Sequence, residues 1–334
     1  MISAKIDAIS GAPKPIGPCM EPDLMGARAL FRDWLYRWLV IGAVAVVAGI
    51  GLFVMRVSID RNFFLAASII LLFPLAMGLV FNVLASRIRS LTFVLSACAD
   101  FFLSVGQFLA FSLVGIVLTY VAATANFPLM DDVFAHVDAV MGFRWEEANV
   151  WFHQHSALQR ILWIAYLSVG VQLITLFFIH STREPREGSG ELIWIYMVSL
   201  LLVTAISVFL PAAAMPGMIG QRHIDVFLAL RNGSLTVLDD SKITGLIAFP
   251  SFHAALGVIC IYSAHNMKLP LMVFVPLNVL MIVATVPSGG HYLIDTIAGL
   301  AVAAVAIVIV RKIRGSIATQ ESAAAPRGAA VTAR

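Results

Sequence analysis

Charge is scarce in this chain. Among 334 residues there are 22 Lys and Arg and 19 Asp and Glu, together only 12%, against about a quarter in ordinary soluble domains. That shortage excludes a soluble globular protein of this length. Cysteine is nearly absent: Cys19, Cys98 and Cys260 have no spacing of a disulfide framework or a thiolate metal site, and read as packing residues. No polar stretch is long enough to fold as a soluble domain. The net charge of +3 gathers in anchors such as Arg311, Lys312 and Arg314, which suits an anionic membrane leaflet and not nucleic acid. No cleavable leader is visible, because the first 33 residues are polar and broken by Pro13, Pro15, Pro18 and Pro22.

Apolar residues fill the space that charge leaves, at 60% of the chain with a mean hydropathy of +0.92. Windows of roughly 20 nearly uncharged residues recur, the length that crosses a bilayer core. They fall at 38–55, 63–85, 101–122, 161–179, 192–214, 251–264, 271–286 and 292–310. The expectation is an all-α, polytopic transmembrane helical bundle of about eight spans, with seven or nine still open. The third span could begin near Leu91 and take in Asp100. The chain divides into a tail at 1–35, transmembrane helices over 36–125, an amphipathic outer-face connection over 126–160, a transmembrane core over 161–313, and a disordered tail over 314–334. With eight spans, both termini share a side with loops 86–90, 180–191 and 265–270. That side holds 15 of the 22 Lys and Arg residues, so the positive-inside rule places both termini in the cytoplasm. The helix starts near residues 251 and 291 then share the opposite side, the periplasmic face of an inner membrane.

Two runs carry the chemistry: Phe249-Pro250-Ser251-Phe252-His253 and Ser288-Gly289-Gly290-His291-Tyr292-Leu293-Ile294-Asp295. Each sets a histidine at the mouth of an apolar helix, where titratable groups usually serve function. Free N–H groups and the positive end of the helix dipole attract anions there. Ser251 can cap the helix or bond a phosphate oxygen, and Gly289 and Gly290 leave backbone amides uncovered. Imidazole can act as nucleophile or proton donor near neutrality. Asp295, four residues beyond His291, suits a carboxylate that fixes the tautomer of a base. His253 has no such partner in its own turn and is the better acid.

The remaining polar residues read more plainly. The connection 126–160 holds Asp131, Asp132, His136, Asp138, Glu146, Glu147, His153 and His155, which are metal-ligand types. They are scattered among Phe134, Met141, Phe143, Trp145, Trp151 and Phe152, as in an amphipathic segment lying at the outer interface with no metal. Tyr292 reads as an interfacial aromatic. His180 and His265 fall at the far ends of their helices. His223 lies on the outer side in a polar loop and could line the site.

The two runs resemble the second and third signatures of the type 2 phosphatidic acid phosphatase superfamily. Its second signature, Pro-Ser-Gly-His, has Phe252 here in place of glycine. Thr285 stands where the soluble-phosphatase branch has an arginine, six residues before the histidine. Pro-Ser-x-His followed by Gly-His-Tyr-x-x-Asp is more similar to the inositol phosphorylceramide synthase and sphingomyelin synthase branch. The resemblance covers roughly residues 160–312 and implies a six-helix phosphatase-like catalytic core. It also implies that His291 attacks phosphorus to give a phosphohistidine, Asp295 orients it, and His253 protonates the departing alkoxide. Ser251, Gly289 and Gly290 would hold the phosphate oxygens, and no metal or other cofactor is implied. The first signature, Lys-x6-Arg-Pro, is missing in that form. Arg222 and Arg231 precede the Pro-Ser-Phe-His run and are candidates for a phosphate clamp. The substrate implied is a phospholipid or sphingolipid, with water or an alcohol as acceptor. A second class stays open at this stage, a transporter or channel using the paired histidines as a proton relay. The sequence says nothing of oligomeric state.

Overall fold

The structure, a computed structural model, describes residues 24–183, 189–213, 215 and 221–324. Three long helices come first: α1 (Leu24–Met55), α2 (Arg61–Arg87) and α3 (Thr92–Ala123). Two short ones follow, α4 (Asp131–Val140) and α5 (Trp145–His153). Helices α6 (Ser156–Leu167) and α7 (Val169–Arg183) form one apolar unit bent by 45°. After α8 (Gly190–Phe209) and α9 (Gln221–Arg231), the chain ends in α10 (Phe252–Ala264), α11 (Lys268–Ala284) and α12 (Leu293–Ala324). Among the described residues five helices are long and apolar enough to cross a membrane, and the bent pair adds a sixth if it crosses as one span. Helices α10 and α11 are shorter apolar segments packed among them. This is an all-α polytopic helical fold, and each of the eight apolar windows coincides with one of these segments.

Two boundaries differ from expectation, and a third, the start of α3, takes the earlier of the two positions considered. Helix α1 begins at Leu24, well before the first apolar window. Its charged opening is stabilised from within, since Arg37 Nη1 and Asp33 Oδ2 pair at 2.6 Å across one turn. Helix α3 begins at Thr92 and includes Asp100, which accepts a 2.6 Å hydrogen bond from Ser181 Oγ. At the other terminus α12 continues to Ala324, so the segment expected to be an unstructured tail starts as helix. Cys19 and the prolines before it lie outside the described residues.

The main core lies between α3, α7, α8, α10 and α12, around Phe111, Leu176, Phe177, Met197, Ile259, Ala303 and Ala306. Helices α8 and α12 are 50% and 44% buried across their apolar windows, against 17% for α1 and 11% for α2. The first two helices are therefore peripheral and turn most of their side chains outward.

A second core fixes the connection that leads to the first motif. Two parallel strands, β1 (Ser58–Ile59) and β2 (Val237–Leu238), pair Ser58 with Val237. No strand is expected from the hydropathy pattern, because two residues are too few to give an alternation. The fully buried Tyr120 donates to the carbonyl of Lys242 at 2.6 Å and accepts from the N–H of Thr244 at 2.9 Å. Phe227, Leu230, Leu238 and Leu246 pack around it. The segment entering Phe249 and Pro250 is thus tied to the end of α3.

Candidate active site

Ser251 is the N-cap of α10: its Oγ accepts the N–H of Ala254 at 3.4 Å, and the residue is fully buried. Its own N–H donates to the backbone carbonyl of Asp295 at 2.9 Å. That bond joins the two motifs directly. It is possible because residue 299 is glycine: a Cβ there would stand 2.2 Å from the Ser251 carbonyl oxygen. His253 follows in the first turn of α10. Its ring stacks on Tyr166 of α6 with centroids 4.1 Å apart, and its Nδ1 lies 3.3 Å from the Tyr166 hydroxyl.

The second motif is a turn before α12. Gly290 takes φ +65°, a conformation that favours glycine, and its carbonyl accepts the N–H of Met215 at 2.9 Å. His291 Nδ1 lies 3.3 Å from Asp295 Oδ2. The same carboxylate oxygen accepts the N–H of Tyr292 at 3.0 Å. The pair meets as read from the sequence, but not on one helical face, because α12 starts at Leu293. His291 sits in the turn and Asp295 in the first helical turn. Both are buried, Asp295 completely, and Asp295 Oδ1 has no hydrogen-bond partner.

The two histidines converge. A Cβ placed on Gly289 would stand 2.8 Å from the His291 ring and 3.1 Å from the Tyr166 ring, the same ring that stacks on His253. His253 is also close enough to feel the charge of His291. Thr285 Oγ1 lies 2.7 Å from Thr296 Oγ1, closing the back of the turn.

Helix α4 holds this arrangement from outside. Asp138, 2% exposed, accepts the N–H groups of Leu293 and Ile294 at 2.7 and 3.0 Å. It thereby caps α12 from 155 residues away. Burial raises its pKa above the ordinary carboxylate value, against the pull of those two N–H groups. Asp131 accepts the N–H of Ala213 through both oxygens and the hydroxyl of Tyr292 at 3.3 Å. Phe134 stacks on Phe249 at 4.4 Å. The connection 126–160 is therefore partly internal, where an interfacial segment was expected. Tyr292 is also internal, 4% exposed and packed edge-on against Phe134. The physical reason is the helix start, whose free N–H groups demand acceptors that α12 itself does not supply.

The two arginines sit beside these residues rather than among them. Arg222 is exposed and its Nη2 reaches the carbonyls of Asp240 and Ile243. Arg231 Nη2 donates to the carbonyl of Phe127 at 2.7 Å, with its guanidinium over the Phe227 ring. His180 and His265 lie at the far ends of α7 and α10. Cys98 and Cys260 are free, and among the described residues no three His, Cys, Asp or Glu side chains gather as a metal centre would need.

Two residues escape the sequence reading, Tyr166 and, in its capping role, Asp138, while His223 enters it only as a residue that could line the site. Tyr166 and Asp138 act across 87 and 155 residues, which no local pattern announces. His223 left a signal. His223, Val226, Phe227 and Leu230 repeat at i, i+3, i+4 and i+7 and are all buried, while Arg222 and Asp225 are exposed. It lies on the inward stripe of α9, near enough to His291 to feel its charge.

An apolar cavity of about 550 Å³ opens beside the second motif, between α5, α6, α11 and α12. Trp145, Trp151, Leu162, Val283 and Ile297 line it, and Leu293 and Thr296 connect it to the turn of His291.

No curated protein and no solved structure matches the chain. A family model described as PAP2 superfamily matches residues 132–309, just over half of the 334. Its span takes in α4 and its Asp138 cap, beyond the stretch that the two motifs alone suggest. The chain belongs to the PAP2 superfamily.

Proposed function

We propose that this chain is an integral membrane phosphatase or phosphotransferase that cleaves a lipid-borne phosphate ester through a phosphohistidine on His291. The observation that carries the reading is the bond from Ser251 N–H to the Asp295 carbonyl, which sets the mouths of α10 and α12 side by side. Asp295 engages Nδ1 of His291, leaving Nε2 to attack phosphorus. The bond from phosphorus to the lipid oxygen breaks, and His253 gives its proton to the departing alkoxide. Water or an alcohol then gives its proton back to His253 and attacks phosphorus, breaking the P–N bond, releasing phosphate or the new phosphodiester and restoring His291. Gly290 offers its backbone amide to the phosphate, whereas the Gly289 N–H, expected to be uncovered, is taken by the Ala284 carbonyl at 3.3 Å. Ser251 steadies the α10 start as its cap. Arg231 is the better placed of the two arginines for a supporting charge, through its proximity to Asp131.

A lipid substrate is supported by the apolar cavity, which adjoins the turn of His291 and is wide enough for acyl chain. The finer form of the reading is transfer to an alcohol. It rests on Pro-Ser-x-His followed by Gly-His-Tyr-x-x-Asp and on Thr285 in place of the arginine, the pattern that resembles the inositol phosphorylceramide synthase branch. The site is assigned to the outer face of the inner membrane, from the uneven distribution of Lys and Arg.

The test incubates the purified protein with a radiolabelled phospholipid, with and without an alcohol acceptor. Free phosphate in both arms identifies a phosphatase, and a new phosphodiester in the second identifies a transferase. Proton-dependent solute flux with intact phospholipid and no acid-labile phosphoenzyme would identify a relay and end the proposal.

A further inference from the structure

The geometry points to His223 as a third imidazole of the site, one that donates a hydrogen bond to a non-bridging oxygen of the bound phosphate. The inference deepens the reading above and rests on it. His223 is 2% exposed, and neither ring nitrogen makes a hydrogen bond of proper geometry. A carbonyl at Gly245 is near enough only for a weak pull. Imidazole carries one N–H donor and one lone pair in its neutral form, and leaving both buried and unpaired costs stability. Natural structures rarely keep such a group without a use for it.

Its surroundings say what the use is. α9 holds His223 on the stripe that faces the interior, with Phe227 and Leu230 locking the helix against the end of α3. Met215, six residues ahead of α9, donates its N–H to the Gly290 carbonyl of the second motif at 2.9 Å. The chain after it runs from Gly245 into the first motif. His223 is therefore flanked by both halves of the site, and the charge of His291 reaches it. Burial, and next the nearness of His291, hold it uncharged in the free protein, lowering its pKa to about 4. Arg222 and Arg231, at either end of the same helix, have guanidinium groups engaged with backbone carbonyls. Arg231 keeps one buried nitrogen, Nη1, without a partner, whereas on the inward-turned His223 both ring nitrogens lack one. A phosphate between the mouths of α10 and α12 supplies one.

The test compares wild type with His223→Leu, His223→Asn and His223→Gln in detergent. The measurements are steady-state turnover of a short-chain phospholipid, affinity for tungstate as a phosphate mimic, and thermal midpoint. Leucine should weaken tungstate binding and lower kcat/KM by about 10- to 100-fold, the range for a hydrogen bond to a charged group. Most of the loss should appear in KM. The same variant should melt at a higher temperature, because an unpaired buried polar group has gone. Asn or Gln, which keep an N–H donor, should recover most of the affinity. Wild-type tungstate affinity and KM in His223→Leu would overturn the inference. So would a lowered midpoint with all three variants equally impaired, since that marks a structural role. If wild type itself turns over no phospholipid, the proposed function fails, while the tungstate arm still decides the role of His223.

Discussion

Two polar clusters lie toward the two ends of α8, and they are built on opposite plans. Near its start, Trp194 Nε1 donates to Asp33 Oδ1 at 2.7 Å, Asp33 Oδ2 pairs with Arg37, and Arg37 Nε donates to Gln107 Oε1 at 2.9 Å. Gln107 in turn donates to the carbonyl of Trp34 at 3.2 Å. The charged groups and Gln107 all find partners, though Trp34 and Trp38 Nε1 beside them do not, and these bonds lock α1, α3 and α8 together. Beyond the other end lie His291, Asp295 and His223, where Asp295 Oδ1 and both nitrogens of His223 are buried without partners. A closed network holds helices in place, whereas an open one keeps polar atoms ready for something that arrives. The protein tolerates the cost of the second because the first, and the large apolar core, supply stability elsewhere.

The comparison can be broken most severely at the open end. His291→Ala should lower turnover by at least about 1,000-fold and abolish the phosphoenzyme, and Asp295→Asn should do nearly as much. Neither should lower the thermal midpoint greatly, since the backbone bond from Ser251 to Asp295 and the Asp138 cap of α12 remain. Assays of turnover beside melting curves check this. At the closed end the outcome should reverse. Asp33→Leu leaves Arg37 buried with one partner fewer and should cost about 3 kcal/mol of stability. The folded fraction should keep its activity per molecule.

Acid offers a third way in. The pKa of His223 is about 4 when folded, against an ordinary 6.5, through burial first and the neighbouring His291 second. The folded state thus resists a proton that the unfolded chain accepts, so stability is intact above pH 6.5 and falls as pH drops toward 4. The loss should approach about 3 kcal/mol, at 1.36 kcal/mol per pKa unit. Asp138 works in the opposite sense, since its raised pKa favours the fold at low pH. The difference between wild type and His223→Leu across this range isolates the histidine. The smallest effect belongs to Asp138→Ala, which removes the cap of α12 and should cost about 1–2 kcal/mol. It should also shift the pH profile of turnover, because the turn that holds His291 loses its external support. A profile unchanged in Asp138→Ala would show that the cap is structural only.

The sequence carries the fold in its coarsest feature. Runs of uncharged residues announce membrane helices without any knowledge of their neighbours, and His253, His291 and Asp295 announce themselves by local spacing. What stayed illegible depends on distance along the chain. Nothing near Asp138 indicates that its carboxylate will meet the N–H groups of Leu293 and Ile294, and nothing near Tyr166 indicates the ring of His253. The charged opening of α1 read as a tail because hydropathy ignores the partner that Asp33 gives Arg37. His223 is the intermediate case: its helical stripe was present, but a polar loop hid it.

The length of α10 has a consequence for where the proposed reaction takes place. Thirteen residues make a rod of about 20 Å at 1.5 Å per residue, while the hydrocarbon layer is roughly 30 Å thick. One tip of that rod must stop short of the headgroup plane, or the bilayer must pinch around the protein. If the shortfall falls at the imidazole end, a lipid must lower its phosphate below its resting depth before it can react. Vesicles with longer acyl chains then present the same headgroup at a greater climb, and membrane thickness becomes a control on rate.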